Sequence, residues 1–406
     1  MHSDVLLVIV VCAALAFDFT NGFHDTANVV ASSISTKALS PRTAIALASV
    51  LNFAGAFISL KVAATVATGI VEAGHVTETI AFAGLTGALV WNLITWLYGL
   101  PSSSSHALIG GVCGALLVSV GTAGIRGHGL IVKFLVPAVV APMIAFVLAG
   151  IAIVVIYRVV SRRRPGPVVR SLRNGQIACS ALLSLAHGAN DAQKTMGVIS
   201  LALVAHGDFS ARHFHVPMWV VVASATAIAL GTYAGGWRII RTVGARIIKM
   251  DSAQGFAAEA AGSAVILASS HFGYPLSSTQ VISGAIMGAG AAKRLSAVRW
   301  GVAGDIVAAW ILTLPAAAAL GALVYGAANV FGSGALGPAL ISLAALAALT
   351  AGVTGRRGAG RPRRTAHPRL NPQPLLARFG RVPRVIGICW VLPPRLIVSV
   401  SLVPGG

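Results

Sequence analysis

Windows of about 20 residues, the helix length that crosses a ~30 Å hydrocarbon core, pick out apolar stretches near residues 4–31, 43–70, 79–99, 105–122, 130–157, 176–205, 217–237, 257–272, 279–292, 300–326 and 335–353. They are rich in Ala, Val, Ile, Leu and Gly and lack the short alternating period of barrel strands, so helix is the form open to them in lipid. The pattern predicts an all-α polytopic integral membrane bundle. The arms at 257–272 and 279–292 are short for a full crossing. This favours a re-entrant helical hairpin there and a second one over 79–122. The first ten residues lack the basic region of a signal peptide and read as part of a retained first helix.

The polar interruptions of these stretches repeat. Asn21-Gly22-Phe23-His24-Asp25-Thr26-Ala27-Asn28 aligns with His187-Gly188-Ala189-Asn190-Asp191-Ala192-Gln193-Lys194, and Pro101-Ser102-Ser103-Ser104-Ser105-His106 aligns with Pro275-Leu276-Ser277-Ser278-Thr279-Gln280. Two motif pairs in the same order divide the chain into halves. Short basic loops stay cytoplasmic, which places Lys37 with Arg42, the arginines of 158–173, the basic residues of 238–249 and Lys293 with Arg294 and Arg299 inside. Loops 71–78, 123–129 and 206–216 fall outside. In this threading the first copy starts outside and the second inside, the inverted topology of many secondary transporters. The expected division is a first transmembrane repeat at 1–157, a basic cytoplasmic loop at 158–175, a second, inverted repeat at 176–326 and a last transmembrane helix at 327–353. A basic Arg/Pro-rich tail follows at 354–406, expected to be disordered against an anionic leaflet.

Composition narrows the function. Only 10% of residues are charged and the mean hydropathy is +0.84, against about 25% charged residues in a soluble domain, which excludes an ordinary cytosolic enzyme. The net charge of +20 does not mark a nucleic-acid face, because ten arginines follow residue 355 and six lie in 158–173. Cys12, Cys113, Cys179 and Cys389 are isolated, with neither disulfide nor metal spacing. No cofactor is expected.

The repeated motifs carry the candidate chemistry. A carboxylate inside the membrane costs about 2.5–3.5 kcal/mol on insertion scales, so Asp25 and Asp191 need partners. Beside them, Asn21, Asn28 and Asn190, with carbonyls freed near Gly22 and Gly188, make a hard-oxygen site for a coupling cation, H+ or Na+. Asp25, Asn28, Asn190 and Asp191 are the candidate Na+ ligands. Lys194, three residues after Asp191, is either its countercharge or an anion contact, alongside both aspartates in the substrate pocket. The two Pro-Ser runs read as helix starts inside the membrane, where free amides and hydroxyls suit a tetrahedral oxyanion. Ser103, Ser104, Ser105, Ser277, Ser278 and Thr279 are the candidate ligands. Asn92, Gln254 and Glu259 are candidates for a supporting layer. An oxyanion beside two carboxylates requires a cation or proton between them, so the residue types predict symport of phosphate, or of sulfate as the rival. An intramembrane hydrolase using a serine of 102–105 is a further alternative, against which the doubled motif argues.

The run Phe17-Asp18-Phe19-Thr20-Asn21-Gly22-Phe23-His24-Asp25-Thr26-Ala27-Asn28, followed by Ser35-Thr36-Lys37-Ala38-Leu39-Ser40-Pro41, resembles the first signature of the PiT family of inorganic phosphate transporters. Ala186 to Gly197, Gly235-Gly236-Trp237-Arg238, Asp251 to Phe256 and Pro275 to Gly284 extend the resemblance across roughly residues 4–353. It implies a plasma-membrane symporter for inorganic phosphate driven by Na+ or H+, with both Asp motifs and both serine hairpins at its centre. Bacterial members resembling this chain take up phosphate with low affinity and with protons, in some cases as a neutral divalent metal complex. A homodimer is a candidate assembly. The chain departs from the family pattern in two places: Ser104-Ser105-His106 stands where the family often has Ser-Thr-Thr-His or a close variant, which keeps the hydroxyl, and Gln280 replaces a histidine.

Overall fold

The computed structural model describes residues 2–162, 165–332 and 334–358. Its first half runs α1 (His2–Ser35), α2 (Pro41–Gly55), α3 (Lys61–Ala64, continued by π turns Thr65–Ile70), α4 (Glu78–Tyr98), α5 (Ser104–Ser119), α6 (Gly127–Leu130, continued by π turns Ile131–Leu135) and α7 (Val136–Val160). The second runs α8 (Pro165–His206), α9 (Met218–Ala234), α10 (Trp237–Ala245), α11 (Ser252–Phe272), α12 (Ser278–Lys293) and α13 (Trp300–Asn329), followed by α14 (Leu336–Gly358). Each half therefore offers a long helix, a broken helix, a hairpin and another long helix, in that order. The hairpins have equal arms, 21 and 16 residues in both cases.

Among the described residues, four helices are long and apolar enough by themselves to cross a membrane: Asp4–Ser35, Glu78–Tyr98, Gly127–Val160 and Trp300–Asn329. Two helices, α1 and α8, carry polar residues turned inward. Along α1, Asp18, Asn21, Asp25, Asn28 and Ser32 fall at steps of three and four and are all buried. Along α8, Gln176, Ser180, Ser184, His187, Asp191 and Lys194 do the same. Helical periodicity sets one stripe per helix, and here the stripe is polar and faces the interior. The outer faces are apolar, with Val139, Met143, Val147 and Ile151 on α7 exposed where lipid is the solvent.

The halves clasp each other through glycines. On α1, a Cβ at Gly22 would collide with Ile228 O of α9, and on α8 one at Gly188 would collide with Asn52 O of α2. The hairpins obey the same exchange. Gly110 and Gly114 of α5 lie on the Leu314 and Ala318 carbonyls of α13, and Gly284 and Gly288 of α12 lie on the Pro142 and Phe146 carbonyls of α7. Small residues allow such backbone approach, which in lipid replaces the hydrophobic drive between helices.

Four sequence expectations need correction. The carbonyls expected to be freed near Gly22 and Gly188 are not, because α1 and α8 run as unbroken helices over His2–Ser35 and Pro165–His206 and keep the backbone paired there. The stretch 43–70 is not one helix: α2 stops at Gly55 and α3 begins at Lys61. Gly55 abuts the Leu185 carbonyl of α8, so the chain turns where it meets that helix. The segment 158–175 is mostly helical, with α7 reaching Val160 and α8 opening at Pro165, a residue suited to a first helical turn. The final helix runs on to Gly358, past the expected end at 353. The reading of the tail as disordered concerns residues that, beyond 358, lie outside those described.

Candidate functional site

Both hairpin tips are built alike. The first arm of each ends in a left-handed glycine, Gly99 (φ 67°) and Gly273 (φ 78°), which only glycine adopts without strain. Leu100 N then donates to Thr95 O, and Tyr274 N to Ser269 O, both at 2.9 Å. Pro101 and Pro275 follow, and the second arms open with Ser103 and Ser277 as N-caps. Ser103 Oγ accepts from His106 N at 3.1 Å and Ser277 Oγ from Gln280 N at 3.4 Å. Ser103 Oγ also lies 2.6 Å from His106 Nδ1. These two hydroxyl oxygens thus accept from their own helices as caps, a local role beside the one expected for them among the six candidate hydroxyls.

The tips close on α1 and α8. Asp25 Oδ2 accepts from Ser104 Oγ at 2.6 Å, while Oδ1 accepts from Thr279 Oγ1 at 3.1 Å and Asn28 Nδ2 at 3.2 Å and lies 2.9 Å from His24 Nδ1. Both hairpins therefore reach one carboxylate. Asp191 Oδ1 pairs with Lys194 Nζ. That ammonium also donates to Ser105 Oγ at 2.6 Å and to Leu276 O at 2.5 Å. A lysine has three N–H donors, so all are engaged within the protein and none remains for an anion. Of the two roles open to Lys194, these contacts match the countercharge to Asp191.

Asp25, His187 and Asp191 each bring an oxygen or nitrogen within 4.8 Å of the others, all buried. His187 Nδ1 donates to Asn52 Oδ1 at 3.2 Å, which leaves Nε2 3.3 Å from Asp191 Oδ2, outside hydrogen-bond geometry. Nε2 of a neutral ring so placed sets a lone pair against a carboxylate oxygen. That contact becomes attractive once a proton or cation sits there. Further buried oxygens without a protein partner are Asn21 Oδ1, Asn28 Oδ1, Asn190 Oδ1 and Ser278 Oγ. These neutral oxygens, together with two carboxylates and an imidazole, form a donor set able to hold a proton or a small hard cation. None of these residues is more than 2% exposed, so the site is closed to both faces.

Two histidines escaped the sequence reading of the site. His24 Nε2 lies 3.3 Å from Thr95 Oγ1 and 3.4 Å from Ser102 Oγ, at the first hairpin tip. Its repeat equivalent, Asn190, donates to Ser270 Oγ at 2.9 Å and Tyr274 O at 3.2 Å at the second. The signal was present: His187 stands four residues before Asp191, on the same helix face. Two residues expected to support the site bond elsewhere. Gln254 forms a capping box with Asp251 at the start of α11. Glu259 accepts from Ser32, from Ser33 at 2.7 Å and from Gln176 at 3.4 Å. Asn92 is buried on α4 with neither side-chain polar atom partnered.

Residues 21–321 match the phosphate transporter family. The chain belongs to the phosphate transporter family. Among similar proteins of this family, one from Mycobacterium bovis, described as "Probable low-affinity inorganic phosphate transporter", is 52% identical over 345 residues, covering 84% of this chain and 83% of the relative. A protein of the same description from Rhizobium meliloti is 48% identical over 326 residues, 80% of this chain and 97% of its own. A solved structure titled "The sodium-dependent phosphate transporter" superposes with a TM-score of 0.73 at 24% identity, covering 79% of this chain and 98% of that one; it speaks for the fold alone. Family and relatives are transporters, not enzymes, and the apolar helices place this member in the plasma membrane as a multi-pass protein.

Proposed function

We propose that the protein imports inorganic phosphate by cation-coupled symport, with H+ or Na+ as the coupling ion, through alternating access around the closed site. The observation that carries the reading is the double use of the hairpin hydroxyls. Ser104 and Thr279 donate to Asp25, so the groups suited to phosphate are held by a carboxylate. A cation or proton on Asp25, with Asn21, Asn28, Asn190 and Asp191 as further oxygens, takes over those lone pairs and turns the hydroxyls toward the anion. Phosphate then meets Ser104, Ser278 and Thr279 and the first-turn amides of α5 and α12 at the positive ends of two helices, while Ser105 stays on Leu276 O and Lys194. Without the cation, a phosphate charge ~4 Å from a carboxylate costs about 4 kcal/mol at an effective dielectric of 20. Cation and anion therefore load together.

Phosphate also fits better than sulfate. At neutral pH phosphate keeps a proton and donates to a carboxylate, whereas sulfate offers acceptors only and leaves the carboxylates opposed. Uptake of labelled phosphate into proteoliposomes, with Na+ and pH gradients imposed separately, tests the reading. One gradient is expected to drive accumulation above equilibrium, and excess sulfate to compete poorly. Uptake indifferent to both gradients would make the protein a passive phosphate path.

A further inference from the structure

Asn28 and Lys194 hold the same place in the two copies of the Asp motif, and Ser105 and Thr279 the same place in the two copies of the serine motif. The structure joins them crosswise into equivalent triangles. Asn28 Nδ2 reaches Asp25 Oδ1 at 3.2 Å and Thr279 Oγ1 at 2.7 Å. Lys194 Nζ reaches Asp191 Oδ1 and, at 2.6 Å, Ser105 Oγ. One triangle is closed by a neutral amide and the other by an ammonium. The surroundings of that ammonium are a carboxylate oxygen, a hydroxyl oxygen and the Leu276 carbonyl at 2.5 Å, the oxygen donors a small cation would take. Its burial, at 2% exposure, is offset by full occupation of its three donors. On the Asp25 side the amide leaves Oδ1 without a partner among the described residues, a neutral ligand for an ion that comes and goes.

We propose that Lys194 is a tethered cation that fills the coupling-cation position of the second half, so that a mobile cation loads only on the Asp25 side. The pocket then moves one cation fewer per phosphate than a pocket with an amide in both halves. This rests on the cation-coupled reading above, which fixes what a mobile cation is for. Lys194 acts here as a positioning and charge-setting group and does not touch the anion.

The test measures charges moved per phosphate from reversal potentials in proteoliposomes for wild type, Lys194→Asn and Lys194→Arg. The expected result is a coefficient higher by one in Lys194→Asn and unchanged in Lys194→Arg. Transport by Lys194→Asn at the wild-type coefficient overturns the proposal. If Lys194→Asn does not transport, phosphate binding to the purified variant is titrated against Na+ and pH. Recovery of binding at roughly tenfold higher cation, with a Hill coefficient raised by one, supports the tethered cation. Loss that no cation concentration restores, with Lys194→Arg binding normally, makes Lys194 an anion contact and overturns it. The mirror variant Asn28→Lys decides the matter if Lys194→Asn fails to fold: its coefficient is expected to fall by one, and an unchanged value is contrary. Wild-type uptake insensitive to every cation gradient would instead sink the coupling reading itself, whatever the variants do.

Discussion

Asp25 is surrounded by an amide, two hydroxyls and an imidazole, whereas Asp191 faces an ammonium. Their removal therefore has different consequences. Asp25→Asn takes away a charge whose hydroxyl partners can turn elsewhere, so the protein is expected to remain folded while phosphate affinity at fixed cation falls roughly tenfold to a hundredfold, the loss of one charge-assisted bond set of about 1.5–3 kcal/mol. Asp191→Asn strands a buried ammonium, a cost of about 3–5 kcal/mol, and is expected to lower the melting temperature in detergent as well as uptake. Equal thermal stability of the two variants would contradict this division. The serines divide in the same way. Ser103→Ala and Ser277→Ala remove caps, worth about 1 kcal/mol each to a helix start, and are expected to lower stability with little change in KM. Ser104→Ala and Ser278→Ala are expected to raise KM for phosphate with little change in stability. A KM rise confined to the cap variants would reverse the assignment.

At the scale of elements, the second hairpin is braced at its base. Asp251 caps α11, and its Oδ2 accepts from Lys293 Nζ at 2.9 Å at the end of α12. Partial burial pushes this carboxyl up, but Lys293 and the Gln254 amide outweigh it and hold the group below its ordinary value. The sign follows: a depressed carboxyl contributes stability that is present above the unfolded value of about 3.9 and lost as pH falls through the folded one. Below about pH 4 the wild type is expected to lose melting temperature faster than Asp251→Asn, with the two curves converging in acid; parallel curves would remove Asp251 from the brace. Both hairpins were legible in outline because Pro-Ser starts are local signals, whereas the brace was missed: Gln254 was expected beside the site and instead caps α11 with Asp251. The polar stripes of α1 and α8 were legible too, since steps of three and four betray a helix face. Other features depend on contacts across the halves and leave no local trace. Nothing in the apolar run 43–70 announces that Gly55 will meet Leu185, and nothing near Ser103 distinguishes a hydroxyl spent on His106 from one left for a ligand. Glu259 shows the same limit, since its partners Ser32, Ser33 and Gln176 come from two other helices.

For the whole molecule, the inverted arrangement makes a claim about sides. Gly74, in the turn before α4, and Gly301, at the start of α13, are exposed, and a Cβ at either meets nothing within 4 Å. In a background with Cys12 replaced by serine, Gly74→Cys is expected to react with an impermeant maleimide from outside intact cells. Gly301→Cys is expected to react only after the inner face is opened. Labelling of both from one side would refute the threading. The glycine clasps carry a second claim at this scale. A valine at Gly114 or Gly288 has to displace the Ala318 or Phe146 carbonyl, and either change is expected to cut the yield of monodisperse protein; normal yield and uptake from both would show that the contact is dispensable.

Those clasps also constrain the order in which the protein can be made. Gly110 and Gly114 meet partners on α13, Leu314 and Ala318, that lie 204 residues further along the chain, so this face of α5 stays uncovered until they have been synthesised. A nascent chain halted before α13 carries a half-finished clasp, open to whatever helix drifts past it. The two halves therefore close on each other here only once α13 has been made.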